Sequence, residues 1–183
     1  MHIIDSKKIA EFSKIYRLNL INSVTGYKPA NLIGTRSRGG ISNLAIFSSV
    51  VHLGSKPPLI GIVTRPNTVP RDTYKNIIDN KSYTINHISK VMVERAHYTS
   101  AKFGDDESEF DFCNFEEEYI VDFDAPFVKE SQIKIGMKLV EEKNIETNNT
   151  ILIIGEVQKI IIDEKKGIII IVLHYRGCIC IRL

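Results

Sequence analysis

Long runs of isoleucine and other β-branched residues in the second half of the chain restrict it to a fold rich in strands. The runs Ile151–Ile162 and Ile168–Ile181 each predict a long strand, and their composition indicates burial on both faces. Apolar residues from Ile133 to Leu139 alternate with polar or small ones, which is the period of a half-buried strand. The longest uninterrupted apolar run, Ile168–Leu173, is far too short to span a membrane, so we expect no membrane association.

The first half of the chain adds strands and short helices without a regular alternation of the two. A turn at Arg38–Gly40, where glycine supplies a positive φ, predicts a hairpin. The predicted strands are Asn31–Thr35, Ile41–Val51, Leu59–Thr64 and Tyr83–Ile88, and the predicted helices are about 6–20, Tyr74–Asp79 and a segment beginning at Ser89. This pattern favours a mainly β fold with short helices, a closed antiparallel barrel, because closure removes exposed edges. We expect the stretch 104–127 to be irregular.

Length and cysteine content narrow the class of protein. The 183 residues suit one domain, so 1–183 is read as a single domain with a helical N-terminal segment at about 6–20. The chain has three cysteines, no C-x-x-C motif and no apolar signal segment at its start, which favours a reducing cytoplasm. Its histidines are scattered, and serine and cysteine lie in no nucleophile motif. We therefore predict no metal site and name no catalytic side chain.

The charges are strongly segregated although the formal net charge is only +2. No Asp or Glu occurs from Phe12 to Arg71, whereas the stretch from Gly104 to Phe127 is rich in acids and has no Lys or Arg. Such blocks create local fields that the net charge does not report. The basic block indicates an anionic partner, which is a phosphate, a nucleic acid or the acidic block itself. The alternative interpretation is an ordinary solvated surface.

The segment from Arg65 to Thr73 combines the features that a phosphate group requires. Arg65 and Arg71 supply fixed positive charge, Thr68 and Thr73 supply hydroxyls, and the predicted helix start supplies backbone N–H groups. We expect Asp72 and Thr73 to cap this helix. The alternative is a capped surface helix whose arginines are merely solvated.

Several short motifs, taken in their order along the chain, resemble those of the flavin reductase-like, FMN-binding split-barrel family. The resemblance covers about residues 20–163 and rests on the motifs together rather than on any one of them. The matching segments are Asn43–Ser49, Pro57–Leu59, Arg71–Thr73 with Asn76 and Ile77, Tyr83–Asn86, Ser108–Phe110, Ala125–Pro126 and Ile153–Val157.

The resemblance implies a split β-barrel that binds FMN, usually as a homodimer with the flavin near the subunit interface. It implies that the strand at Asn43–Ser49 lies along the flavin, with backbone toward the ring and Ser48 or Ser49 toward the phosphate. It also implies phosphate contacts from Arg71 and Thr73. The residues implied to bind the cofactor are Asn43, Ala45, Ile46, Phe47, Ser48, Ser49, Arg65, Arg71, Thr73 and His87.

Two functions follow from the resemblance and stay open on the sequence. One is an NAD(P)H-dependent flavin reductase that takes NADH or NADPH as co-substrate. The other is a non-catalytic, flavoredoxin-like FMN electron carrier that serves a protein partner. A nucleic-acid-binding barrel is disfavoured, because aromatic residues do not interleave with Arg36, Arg38 and Arg65 as stacking platforms would.

The tail at about 165–183 departs from the family pattern. Beyond about Glu164 we expect the family resemblance to stop, since the family's usual closing motif is not found there. The tail reads either as a true final barrel strand or as an altered or frame-shifted ending that lacks the segment closing the flavin site, and we favour the second.

Overall fold

The computed structural model describes residues 3–66, 68–104, 107–162, 171–175 and 178–182. The helices are α1 (Ser6–Glu11), α2 (Lys14–Ser23), α3 (Asp72–Asn80), α4 (Val93–Tyr98, preceded by a 3-10 turn at Lys90–Met92) and α5 (Glu109–Phe112). The strands are β1 (Asn31–Arg36), β2 (Ser42–Phe47), β3 (Val50–Ser55), β4 (Pro58–Thr64), β5 (Ser82–His87), β6 (Glu117–Ile120), β7 (Phe123–Val128), β8 (Ile133–Ile145), β9 (Thr150–Ile162), β10 (Ile171–Tyr175) and β11 (Cys178–Arg182). None of the described helices is long and apolar enough to cross a membrane.

The main sheet is built so that its two edge strands are consecutive in the chain. Seven strands pair in the order β2-β1-β5-β8-β9-β4-β3, and each neighbouring pair is antiparallel. Only Ser48 and Ser49 separate β2 from β3, so one extended segment pairs with β1 through its first half and with β4 through its second. The mainly β, antiparallel prediction is confirmed, whereas closure of the sheet into a barrel stays a prediction.

Two apolar clusters occupy opposite faces of this sheet. Leu32 and Ile33 are adjacent on β1 and point to opposite faces, as strand geometry requires. Leu32 joins a cluster formed with Leu44 of β2 and side chains from α4 and α5. Ile33 joins a second cluster that includes Ile77 of α3 and the strands β4, β5, β8 and β9. The sheet is therefore covered near β1 and β2 by α4 and α5 on one side and by α3 on the other.

Strand continuity and burial differ from the sequence prediction in two long segments. The predicted single buried strand Ile41–Val51 is wrong, because it divides into β2 and β3, and Val51 on β3 is 45% exposed. This segment changes its pairing partner at Ser48 and Ser49, and the outer side of β3 faces solvent. Burial of Ile151–Ile162 on both faces is also wrong, since Ile160 is 62% exposed.

Two other segments fold differently from their predicted form. The predicted helix 6–20 is two helices, because the Ser13 hydroxyl accepts from the Tyr16 N–H and begins α2 anew. The predicted strand Ile168–Ile181 includes two strands, β10 and β11, which pair with each other antiparallel. Its remaining residues lie outside the described ranges.

The acidic stretch 104–127 is more ordered than predicted. Its described residues contain α5, β6 and all of β7 except the last residue, Val128, and β6 pairs with β7 as a separate two-stranded sheet. Three of its carboxylates form ion pairs with basic residues outside the stretch: Asp124 with Arg36, Glu116 with Lys129, and Glu118 with Lys134. These pairs reduce the repulsion among the acidic residues, which would otherwise favour an irregular chain.

Candidate functional site

The start of helix α3 presents an arginine with an unused donor. Arg71 precedes the helix in an extended conformation, and its carbonyl accepts the first helical hydrogen bond, 3.0 Å from the Lys75 nitrogen. Within the part of the chain that the structure describes, the Arg71 Nε is buried and has no hydrogen-bond partner. The first-turn N–H groups, at Asp72, Thr73 and Tyr74, have no helical carbonyl to bind. A buried cationic donor beside free N–H groups at a helix start is an anion-binding arrangement.

The predicted capping of α3 by Asp72 and Thr73 is wrong. Arg71 is the N-cap residue, and its side chain makes no capping hydrogen bond. The predicted helix begins at Tyr74, two residues later than the observed start at Asp72, because Asp and Thr are common capping residues. In the structure both belong to the first turn, which leaves the helix start open toward solvent or a ligand.

Asn43, predicted to bind the cofactor, has both ends of its side-chain amide bound within the protein. It lies buried on β2, and its Nδ2 donates to the Glu109 Oε1 at 2.9 Å and Oε2 at 2.8 Å. Its Oδ1 accepts from the Thr73 hydroxyl at 2.9 Å and from the Thr35 hydroxyl at 3.2 Å. The structure therefore places Asn43 as a link between α5, β1 and α3. Its direct contact with a cofactor stays a prediction.

Thr73, predicted to contact a phosphate, uses its hydroxyl hydrogen elsewhere. The hydroxyl is buried and donates to Asn43 Oδ1. A phosphate bound at the start of α3 would therefore meet the Thr73 backbone N–H rather than its hydroxyl hydrogen. The Asn43–Thr73 bond also fixes the start of α3 against β2, which brings two of the motifs that carry the family resemblance into direct contact.

Glu109 is a buried carboxylate that the sequence prediction did not assign to the site. In addition to Asn43, it accepts from the Leu44 backbone N–H at 2.9 Å. Burial raises its pKa, and the hydrogen bonds from Leu44, from its own backbone and from Asn43 act in the opposite direction. The Ser108–Phe110 motif was the available signal, but nothing local in it reveals which strand the carboxylate contacts.

The predicted residues Ala45, Ile46 and Phe47 are half-buried along β2. Ile46 packs against the cluster that contains Leu32, and Phe47 packs against the cluster that contains Ile33. The Ile46 N–H donates to the Thr99 hydroxyl at 3.1 Å. Together with the Leu44–Glu109 bond, this contact occupies the unpaired edge of β2, so the backbone donors of Leu44 and Ile46 are already used.

Ser48 and Ser49 lie where β2 passes into β3, and Ser49 contacts Val63 near the end of β4. The Ser49 hydroxyl donates to the Val63 carbonyl at 2.7 Å, and Val63 donates its N–H back to the Ser49 carbonyl at 3.4 Å. Ser48 is exposed beside this joint, and Arg65 is exposed just after β4 ends. The structure therefore uses the Ser49 hydroxyl within the protein and leaves Ser48 and Arg65 exposed.

His87 lies apart from the other predicted residues. It ends β5 opposite Asn31 and borders a small cleft with Ser89 and Gln132. Burial lowers the pKa of its imidazole. Since β1 lies between β5 and β2, His87 is two strands from β2, about 10 Å by ordinary strand spacing. Its contact with a cofactor stays a prediction.

The arginines of the acid-free segment from Phe12 to Arg71 differ in whether they pair with an acid of the protein. Arg36 pairs with Asp124 at 3.1 Å and lies over the Tyr119 ring, while Arg38 lies 3.4 Å from Asp79. For Arg36, the acidic block is therefore the anionic partner that the sequence left open. Arg71 differs because its Nε is buried without a partner among the described residues.

Comparison with known proteins places the fold in one family. The chain matches the family described as Flavin reductase like domain over residues 27–180. A protein from Shewanella frigidimarina, assigned as a flavin reductase with a split barrel domain, is 42% identical with a TM-score of 0.87, covering 98% of this chain and 86% of that one. Flavoredoxin of Desulfovibrio vulgaris (Miyazaki F) is 28% identical with a TM-score of 0.66, covering 75% and 71%.

A sequence relative from Aquifex aeolicus, an uncharacterised protein, is 28% identical over 148 residues, which are 77% of this chain and 74% of the relative. The family match extends well into the tail at 165–183, so the expectation that the resemblance stops near Glu164 is wrong. The motif order, the antiparallel sheet and these matches agree, and the chain belongs to the flavin reductase-like family.

Proposed function

We propose that the protein binds FMN and acts as an NAD(P)H-dependent flavin reductase. The observation that carries the proposal is the buried, unpartnered Arg71 Nε at the open start of α3. A buried cationic donor without a partner is costly unless a ligand satisfies it. A phosphate group does so, because it accepts charge-assisted hydrogen bonds from Arg71 and from the first-turn N–H groups.

The surroundings of Arg71 fit the rest of an FMN molecule. The Thr73–Asn43 bond fixes this end of α3 beside β2, whose Ala45 and Phe47 lie on the same face of the strand as Asn43 and offer a half-buried apolar surface for a planar ring. Ser48, just after β2, and Arg65, just after β4, are both exposed. We assign the ring to the Ala45–Phe47 surface and the phosphate to Arg71 and the N–H groups of Asp72 and Thr73.

The protein's own contribution to catalysis is binding and orientation. Bound FMN supplies hydride and electron transfer chemistry. Arg71 and the first turn of α3 hold the phosphate, and the apolar side chains of β2 exclude water from one face of the ring. The positive field of Arg65 and Arg71 also attracts the anionic NADH or NADPH. Hydride transfer between two cofactors needs no side-chain acid or base, so we assign none.

The second candidate function is an FMN electron carrier that serves a protein partner. It is favoured by the likeness to the Desulfovibrio flavoredoxin, at 28% identity. The same FMN site serves both functions, and only the source of the electrons differs. A reductase accepts them from a pyridine nucleotide, whereas a carrier accepts them from another protein.

We further propose a homodimer in which the sheet is closed as a split barrel. Closure is supported by the continuity of β2 and β3, which lets the two edges of the sheet meet in one segment. Dimerisation is supported by exposed apolar side chains on the outer face of β3, where Val51 and Leu53 lie beside Gly61 of β4. We also propose that the protein is located in the reducing cytoplasm, where a free thiol such as that of Cys113 stays reduced.

The experiment is a visible spectrum of the purified protein, followed by anaerobic stopped-flow mixing with NADH and with NADPH. We expect a yellow protein that releases FMN rather than FAD on denaturation and whose flavin absorbance is bleached by one of the nucleotides. Bound FMN that neither nucleotide reduces would favour the carrier. A colourless protein that takes up no added FMN would overturn both functions.

A further inference from the structure

We propose that Glu109 is a positioning residue that orients the start of α3 for phosphate binding. This inference rests on the proposed function and names a residue that acts through others, without touching the cofactor itself. It is carried by a continuous series of buried hydrogen bonds that runs from α5, through β2, to the first turn of α3.

The first step is the orientation of the Asn43 amide. The Glu109 carboxylate is 9% exposed, and both of its oxygens accept hydrogen bonds from groups of β2. The Asn43 Nδ2 therefore faces Glu109, at 2.9 and 2.8 Å from its two oxygens, and the Asn43 Oδ1 must face the opposite way. The Leu44 N–H, 2.9 Å from Oε2, holds the carboxylate in place from the β2 backbone.

The second step transfers this orientation to α3. With its oxygen facing α3 and β1, Asn43 accepts from the hydroxyls of Thr73 and Thr35. The Thr35 hydroxyl, having donated to Asn43, accepts from the Asn76 Nδ2 at 3.2 Å. Thr73 and Asn76 lie in the first and second turns of α3. The acceptor character of Glu109 thus sets the direction of the bonds that tie Thr73 and Asn76 of α3 to the sheet.

The third step is the consequence for the phosphate site. The N–H groups of Asp72 and Thr73 and the Arg71 side chain all belong to the segment that this series fixes. Replacing Glu109 by Gln puts a donor where only acceptors stood, so the Asn43 amide faces another N–H group or turns over. If it turns over, its Nδ2 faces the hydroxyls of Thr73 and Thr35, which lose Asn43 Oδ1 as the acceptor for their hydrogens and have to rotate. The mismatch then lies at Thr73, in the first turn of α3.

The test compares Glu109→Gln with wild type in titrations with FMN and with riboflavin, which has the same ring but no phosphate. We expect the Glu109→Gln variant to bind FMN about tenfold more weakly, the equivalent of one good hydrogen bond, with riboflavin affinity changed less than about twofold. Glu116→Gln is the matched control, because Glu116 is exposed and pairs with Lys129; we expect wild-type values for both ligands.

A second pair of variants tests the other end of the series without altering Glu109. Thr73→Val removes the hydroxyl with little change of shape, so we expect the same selective loss of FMN affinity. Thr73→Ser keeps the hydroxyl, so we expect it to restore the wild-type ratio of FMN to riboflavin affinity. Thermal unfolding without ligand shows whether each variant folds.

The outcomes separate the inference from the proposed function. Selective loss of FMN affinity in Glu109→Gln and Thr73→Val, with wild-type behaviour in Thr73→Ser, supports the positioning role. Equal losses for FMN and riboflavin, or no loss in a folded Glu109→Gln variant, would overturn it. Wild-type protein that binds neither flavin, or binds both equally, would instead contradict the phosphate site on which it rests.

Discussion

The two ends of helix α3 differ in how completely their polar groups are bound. At the C-terminal end, the Lys81 N–H donates to the Ile77 carbonyl at 2.9 Å, and the Lys81 carbonyl accepts from the Leu139 N–H at 2.7 Å. The Asn80 side chain donates to the Arg36 carbonyl. At the N-terminal end, the Arg71 Nε is buried and unpartnered among the described residues. Since most buried polar groups in proteins are paired, the unpaired end is the one that requires a ligand.

The comparison separates two arginines that pair with acids of the protein from Arg71, to which we assign the phosphate. Arg36 and Arg38 lie near the C-terminal end of α3, which we call the closed end because its polar groups are bound. Arg36 pairs with Asp124, and Arg38 pairs with Asp79. Arg71 comes from the same acid-free part of the sequence, so its composition does not set it apart. What sets Arg71 apart is its position directly before the uncapped start of α3. There its positive charge and the first-turn N–H groups lie together at the N-terminus of the helix.

The largest expected effect is at Arg71. Arg71→Ala removes the charge-assisted hydrogen bond to the phosphate, worth about 1.5–3 kcal/mol, or roughly 10- to 150-fold in FMN affinity. Flavin fluorescence titration measures it. Arg38→Ala is the matched control, because it removes the same charge from the closed end, where the side chain is 73% exposed. Equal losses of FMN affinity in the two variants would show that the N-terminal end of α3 has no special role in binding.

The next largest effect is a loss of stability at the C-terminal, closed end of α3. Asn80→Ala removes the hydrogen bond to the Arg36 carbonyl, so we expect the free energy of unfolding to fall by about 1 kcal/mol without a change in FMN affinity. Urea denaturation measures this loss. Asp79→Ala breaks only a surface ion pair and should cost less than about 0.5 kcal/mol. A weaker FMN complex in Asn80→Ala would mean that the two ends are coupled.

A smaller gain in stability is expected at Lys81, which ends α3 in the left-handed region with φ 62°. Glycine adopts this conformation without the clash of a β-carbon, so Lys81→Gly should raise the free energy of unfolding by about 0.5–1 kcal/mol. Thermal unfolding at fixed pH measures the gain. Unchanged or lower stability would show that the exposed Lys81 side chain contributes more than its backbone strain costs.

The smallest effect is a change in alkaline stability through Tyr74, in the first turn of α3. Its hydroxyl donates to Glu142 at 2.9 Å, and burial, followed by that contact, raises its pKa above 10. The folded protein thus keeps a proton that the unfolded chain loses, so this contribution is complete below pH 10 and declines above it. Tyr74→Phe should flatten that decline in denaturation curves from pH 9 to 11. Parallel declines would remove Tyr74 as a contributor.

Local pattern predicted the elements of the site better than their contacts. The strand at β1, the helix at α3 and the strand at β5 follow from periodicity and turn residues close in sequence. The bonds from Asn43 to Thr73 and to Glu109 join residues 30 and 66 positions apart, which no local pattern can reveal. The resemblance assigns Asn43 and Thr73 to the cofactor, and the structure adds that the two side chains bind each other.

The break between β2 and β3 was missed for a related reason. Residues on both sides of Ser48 and Ser49 are apolar or β-branched, so the pattern predicts one continuous strand. The break is set by pairing, since the segment leaves β1 and joins β4 at that point. Ser13, in contrast, has a recognisable capping position, and it could have divided the N-terminal helix on sequence grounds.

The continuity of β2 and β3 also has a consequence for the order in which the chain is made. Strands β1 to β4 emerge from the ribosome as two hairpins that share one segment, but β4 gains its second neighbour only when β9 appears. At translation rates of about 5–20 residues per second, the 85 residues between Thr64 and Thr150 take about 4–17 s. During that interval the nascent chain carries an unpaired apolar edge at β4, on which another strand could pair.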